Sequence, residues 1–245
     1  MNSKNQTFPF LIAFIILFAL FMGLGFLTTN IDWTWARILI CIVVVSGATI
    51  AWSLIKKRPA AQSFRDVGFG VPNWRVVGIA VVLSALMLAF FPLYSSLTNV
   101  SLPLQSNWPW ILIGIITGVG LAEETLFRGY VFNFLREKRT FWKAATLSMI
   151  LFGAMHLFLL LWQPLPIAIA AIILAILAAY PTAYLFETGA RTIWPPAILH
   201  STALATNLFV IPEEMVSSLS LLWIGVVLIG LFLVFVAGRL VLRKS

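Results

Sequence analysis

Ala122-Glu123-Glu124-Thr125-Leu126-Phe127-Arg128-Gly129-Tyr130 sets two adjacent carboxylates and a guanidinium inside an otherwise apolar stretch. Charges at bilayer depth are costly, and persist mainly where they pair, line a wet cavity or do chemistry. Helix spacing divides their roles. Glu124 and Arg128 are four apart and share a face, so they are placed to form an ion pair. Glu123 is turned about 100° from Glu124, its own i+4 neighbour being Phe127, and is left free for another partner. A structural ion pair plus one solvated Glu is the bland alternative for this pattern.

The surroundings of this stretch decide the fold class. The 245-residue chain is 61% hydrophobic and 10% charged, against about 25% charged in a soluble domain. It reads as an all-α polytopic membrane bundle of about eight transmembrane helices. The apolar runs fall near 9–28, 33–54, 75–94, 109–130, 143–162, 165–187, 194–210 and 218–238. The first follows Lys4 and reads as a retained span rather than a cleaved signal.

The net charge of +8 is gathered into short clusters between apolar runs, which speaks for topology and against nucleic-acid binding. Lys56, Lys57, Arg58, Arg65 and Arg75 flank one loop. Arg136, Lys138, Arg139 and Lys143 lie in a second, Arg191 in a third, and Arg239, Arg243 and Lys244 at the tail. The intervening loops 95–107 and 163–166 carry no charge, and 210–217 holds only Glu213 and Glu214. Arg37 is the one basic exception. The positive-inside rule then predicts a multi-pass protein of the plasma membrane with both termini cytoplasmic. A single domain, 1–245, is expected: an N-terminal two-helix hairpin (1–55), a core (75–210), then a last helix and basic tail (218–245). The segment 56–75 reads as a linker without chemistry. The lone Cys41 excludes an intrachain disulfide.

Both histidines of the chain lie in apolar runs. His156 closes Phe152-Gly153-Ala154-Met155-His156. His200 follows Trp194-Pro195-Pro196, where proline tolerates a first helical turn, so His200 sits about one turn inside a helix beginning near Pro195. Rise per residue puts Glu123 roughly 20 Å from Arg136, His156 about 20 Å from Lys143 and His200 roughly 12–14 Å from Arg191. At ordinary tilts these depths permit the three to converge.

Two chemistries follow. In one, Glu123 and His156 hold and deprotonate a water while His200 polarises a carbonyl, and no cofactor is required. In the other, Glu123, His156 and His200 hold Zn²⁺ with water in the fourth position. The absence of a His-Glu-x-x-His helix favours the metal-free route. A serine triad has little support, and a proton-coupled transporter would show internal repeats that are not found.

Glu123-Glu124-x-x-x-Arg128, Phe152-x-x-x-His156 and the His200 helix, in that order, resemble the CAAX prenyl protease and bacteriocin-processing (Abi) family of intramembrane proteases. The resemblance covers about 75–210. It implies an endopeptidase reached from the membrane and cytoplasm, with membrane lipid and a peptide or protein substrate, lipid-anchored in some members, as partners. It also implies that Glu123 and His156 activate water, that His200 and an Asn four residues on form an oxyanion hole, and that Glu124, Arg128 and Phe152 support them. Here the chain departs: that position is Leu204, and Asn207, the nearest Asn, falls about 10.5 Å beyond His200 on a straight helix. One lost oxyanion donor costs roughly 10²–10³ in rate, so the alternative is a non-catalytic scaffold or bacteriocin-immunity protein of the same fold.

Overall fold

The computed structural model describes residues 6–27, 32–161 and 163–242. Lys4, Trp162, Arg243 and Lys244, and the end of the first predicted span at residue 28, lie outside them. Within the described residues the chain is helical, apart from an isolated antiparallel bridge between Leu104 and Phe209.

Seven helices are long and apolar enough to cross a membrane, each over a predicted span. They are α1 (Thr7–Leu27), α2 (Trp33–Lys56), α3 (Trp74–Thr98), α4 (Trp108–Arg136), α5 (Phe141–Leu161), α6 (Leu165–Thr188) and α8 (Val216–Leu242). The eighth predicted element is shorter. Here α7 (Trp194–Ala203) is followed by a 3₁₀ turn at Ala205–Leu208. It nonetheless joins the two faces of the bundle. Its start hydrogen bonds to the loop before α3, Ile193 N–H to the Gly68 carbonyl. Its far end pairs with the loop after α3, where Val210 N–H donates to Pro103 O and Gln105 N–H to Leu208 O. The protein is therefore an integral multi-pass membrane helical bundle.

Local chemistry sets the helix ends. Asp32 Oδ1 caps the N–H groups of Thr34 and Trp35, and Asn73 Oδ1 caps Arg75 N–H, satisfying donors that a helix start leaves open. Pro195 and Pro196 occupy the first turn of α7, where a missing N–H costs nothing. Lys57 ends α2 in a left-handed conformation, its N–H returning to the Ser53 carbonyl.

The charged loops share one face. Lys56 pairs with Glu137 at 2.5 Å and also contacts Gln6, Arg58 pairs with Asp66, and Arg136 grips Glu187 through two nitrogens. On the opposite face the uncharged loop 95–107 meets the chain after α7 through the Leu104–Phe209 bridge.

The segment 56–75 is no loose linker. Ala60–Phe64 and Arg65–Phe69 form short helical turns, and Val67 is fully buried against α4. The close approach needs Gly129, since any Cβ there would collide with the Val67 carbonyl. Gly68 turns the chain at φ 111°, a conformation that favours glycine. Asn133 Nδ2 donates to the Asp66 carbonyl and fixes the segment further. The hairpin is docked too: Phe10 of α1 stacks on Tyr130 and Phe134 of α4.

Candidate active site

The middle of α4 is not a regular α-helix. Two stretches, Ile116–Glu123 and Thr125–Phe132, have wide π-type turns, and the two carboxylates sit at their junction. Such turns gather at functional sites because they re-aim side chains along a helix. Apolar periodicity carries no signal for them.

The ion pair expected from the i,i+4 spacing is present. Arg128 Nε lies 3.2 Å from Glu124 Oε2, with the two side chains 1% and 0% exposed. Three further contacts, which the sequence did not announce, hold this pair. Arg128 Nη2 donates to Thr182 Oγ1 at 2.6 Å, and Thr182 passes its own proton to the Ala178 carbonyl. The guanidinium lies over the Phe152 ring at 4.4 Å. Glu124 Oε1 lies 2.7 Å from His200 Nδ1.

That last contact revises the division of labour. Glu124 is more than the partner of Arg128, because it also orients His200. With Nδ1–H donated to Glu124, His200 turns Nε2 toward Glu123, whose Oε2 is 4.0 Å away. In this tautomer Nε2 accepts a hydrogen bond from water, and it donates to an oxyanion only once the ring is protonated. Glu123 Oε2 is buried and makes no hydrogen bond among the described residues. At 4.0 Å, one water fits in hydrogen-bond reach of both atoms.

His156 flanks the same ring. Its imidazole packs edge-on against Phe152 at 4.7 Å between centroids, and His200 does so at 5.8 Å from its own side. His156 Nδ1 lies 2.9 Å from the Phe152 carbonyl, so the neutral ring donates there and leaves Nε2 bare.

Glu123, His156 and His200 line one cavity of about 400 Å³. The three donors fit a metal ion poorly as they stand. Among the described residues no three His, Cys, Asp or Glu side chains are gathered closely enough to hold one.

Leu204 and Asn207 line this cavity as well. The straight-helix estimate that set Asn207 about 10.5 Å beyond His200 does not apply. The helix stops at Ala203 and gives way to a 3₁₀ turn, in which Asn207 Nδ2 donates to the Leu204 carbonyl at 3.0 Å.

The lining runs from Thr182 and Leu231, in the basic-face halves of α6 and α8, past Glu123 to Gln163, Ile167, Thr206 and Asn207 beside the uncharged face. No residue of the basic-face loops lines it, and the packed segment around Val67 stands on that side.

A buried carboxylate and two imidazoles lining one half-open cavity in a membrane bundle have the composition of a hydrolytic site. Residues 104–206 match the family described as Rce1-like, type II CAAX prenyl endopeptidase. The matched segment is under half of the chain, yet it holds Glu123, Glu124, Arg128, Phe152, His156 and His200, and ends one residue before Asn207. It agrees with the family resemblance carried by the motifs and supports, at family level, a CAAX-type endopeptidase in the membrane. No curated protein sequence matches the chain.

Proposed function

We propose that this protein is an intramembrane endopeptidase that hydrolyses peptide bonds with a water activated between Glu123 and the imidazoles, and without a metal. Glu123 takes the water proton as general base, and His156 positions the same water. His200, protonated and sharing Nδ1–H with Glu124, turns Nε2–H toward the carbonyl oxygen that becomes the oxyanion. The proton on Glu123 then passes to the leaving amine, which balances the step. Glu124, Arg128, Phe152 and Thr182 position these groups. The observation that carries this reading is the buried Glu123 Oε2, without a hydrogen bond and 4.0 Å from His200 Nε2, in a cavity that His156 also lines.

The site lies in a core of 75–210 closed by the α1–α2 hairpin, and the basic face is assigned to the cytoplasm. Cleavage of a peptide library in proteoliposomes tests the function. Wild type cleaves at a defined bond, a chelator leaves the rate unchanged, and His200→Gln slows it at least ~10²-fold. Loss of activity on chelation, restored by Zn²⁺, would replace the metal-free route with a metal-bound water.

One observation favours a second reading. Leu204 stands where the family resemblance calls for Asn, and the Asn207 amide already donates to the Leu204 carbonyl. A membrane scaffold that binds peptides without cutting them would show library binding with no cleavage by any folded variant.

A further inference from the structure

Arg37 is a cation within the second apolar helix, outside the family-matched segment, and it lines the same cavity as Glu123, His156 and His200. It makes no ion pair among the described residues, and its one charge-related contact is with the Trp33 ring at 5.2 Å. An arginine one turn into a helix commonly stretches to the headgroups, with its stem lying along apolar surface. Here the stem is taken into the bundle instead. Gly114 and Gly118 are four apart on α4 and receive Trp33 and Arg37, four apart on α2. Any Cβ at Gly118 would collide with the Arg37 stem. Val119, the next residue of α4, lines the cavity beside it, so the two glycines build a seat that holds the guanidinium at the wall.

The cavity that Arg37 lines is mostly apolar but carries other polar groups. Gln163, Thr206 and Asn207 line it, and none is acidic. A guanidinium held at the wall of a mostly apolar cavity, with no carboxylate of its own, is suited to a planar anion. Among the described residues, the only acid lining the cavity is Glu123, which the proposed chemistry uses.

We propose that Arg37 binds a carboxylate of the peptide held in this cavity and so fixes which bond reaches Glu123. The inference rests on the peptidase reading for its purpose, but not for the binding it predicts. The carboxylate comes from the peptide C-terminus or from an acidic side chain. Either way the anchor lies on the uncharged-face side of the reacting groups, and the scissile bond is set by its distance from that anion.

The test separates binding from cleavage. A fluorescein-labelled apolar peptide ending in Ala-Val-Leu is prepared as the free acid, as the C-terminal amide, and as an amide with one internal Glu. Anisotropy in detergent is read on Glu123→Gln protein, which does not turn over, with and without Arg37→Gln, and with Arg37→Lys as the charge-conserving control. The free acid binds at least ~10-fold tighter than the amide, Arg37→Gln erases the difference, and Arg37→Lys keeps part of it. A Glu-containing amide that binds like the free acid assigns the anion to a side chain. A weak Glu-containing amide assigns it to the C-terminus. Equal affinity of all three peptides, undetectable binding included, or a preference that survives Arg37→Gln in folded protein overturns the proposal. Cleavage of the same peptides by wild type is scored separately. A carboxylate preference without cleavage keeps the anion site and removes the peptidase reading.

Discussion

Glu123 and Glu124 are neighbours in sequence and live in different chemical worlds. Glu124 faces the packed wall behind the site, where Arg128, His200 and, through Arg128, Thr182 and Phe152 surround it. Glu123 faces the cavity in front, and its Oε2 is buried without a hydrogen bond. The wall pairs opposite charges with one another, Glu124 with Arg128 at 3.2 Å, although Glu124 Oε2 and Arg128 Nη1 also lack a hydrogen bond among the described residues. The front keeps a carboxylate oxygen and two imidazole Nε2 atoms uncommitted. A buried ionisable group whose partners are supplied by the fold serves the structure, and one whose partners are withheld is available to a substrate.

Exchanging the lesions between the two neighbours gives the largest effect. Glu123→Ala abolishes cleavage, a loss of at least ~10³-fold, with yield and melting temperature near wild type. Glu124→Ala leaves Arg128 buried and unpaired and costs about 3–5 kcal/mol of stability. Thermal melts and purified yields of both proteins read this contrast, and a Glu124→Ala protein as stable as wild type would erase it.

The front of the site is also open to improvement. Leu204→Asn places an amide one turn beyond His200, and cleavage rises by up to ~10²-fold if that donor reaches the oxyanion. Asn207→Ala tells whether the 3₁₀ turn already supplies the donor. Where it does, Asn207→Ala loses activity and Leu204→Asn gains little. Rates from the same peptide library, measured beside the melts, discriminate the two.

The smallest change probes the wall alone. Thr182→Val removes the hydroxyl that receives Arg128 and costs about 1.5–3 kcal/mol, the range for a hydrogen bond to a charged group. It lowers the melting temperature without altering the substrate preference. A changed cleavage pattern instead would place Thr182, which also lines the cavity, with the front of the site.

Much of this contrast was legible beforehand, because i,i+4 spacing depends only on the helix itself. The Glu124–Arg128 pair, the apolar spans and the placement of both histidines follow from such local rules. What escaped depended on contacts across the bundle. The Glu124–His200 hydrogen bond joins residues 76 apart, and the Arg128–Thr182 bond residues 54 apart. The burial of Val67 within 56–75 hinges on Gly129, whose meaning appears only when Val67 lies against it. Asn207 lines the cavity from a 3₁₀ turn, because α7 stops at Ala203. A continuous apolar pattern through 194–210 does not mark that stop.

The central claim is that a water activated at Glu123 cleaves the peptide bond directly. Cleavage in H₂¹⁸O, with the products read by mass spectrometry under single-turnover conditions, tests it most directly. One ¹⁸O enters the new carboxyl group in the wild-type reaction, no acyl-enzyme accumulates, and folded Glu123→Gln protein gives no labelled product. A covalent peptide adduct on the protein, or labelled product formed equally by Glu123→Gln, would contradict the account.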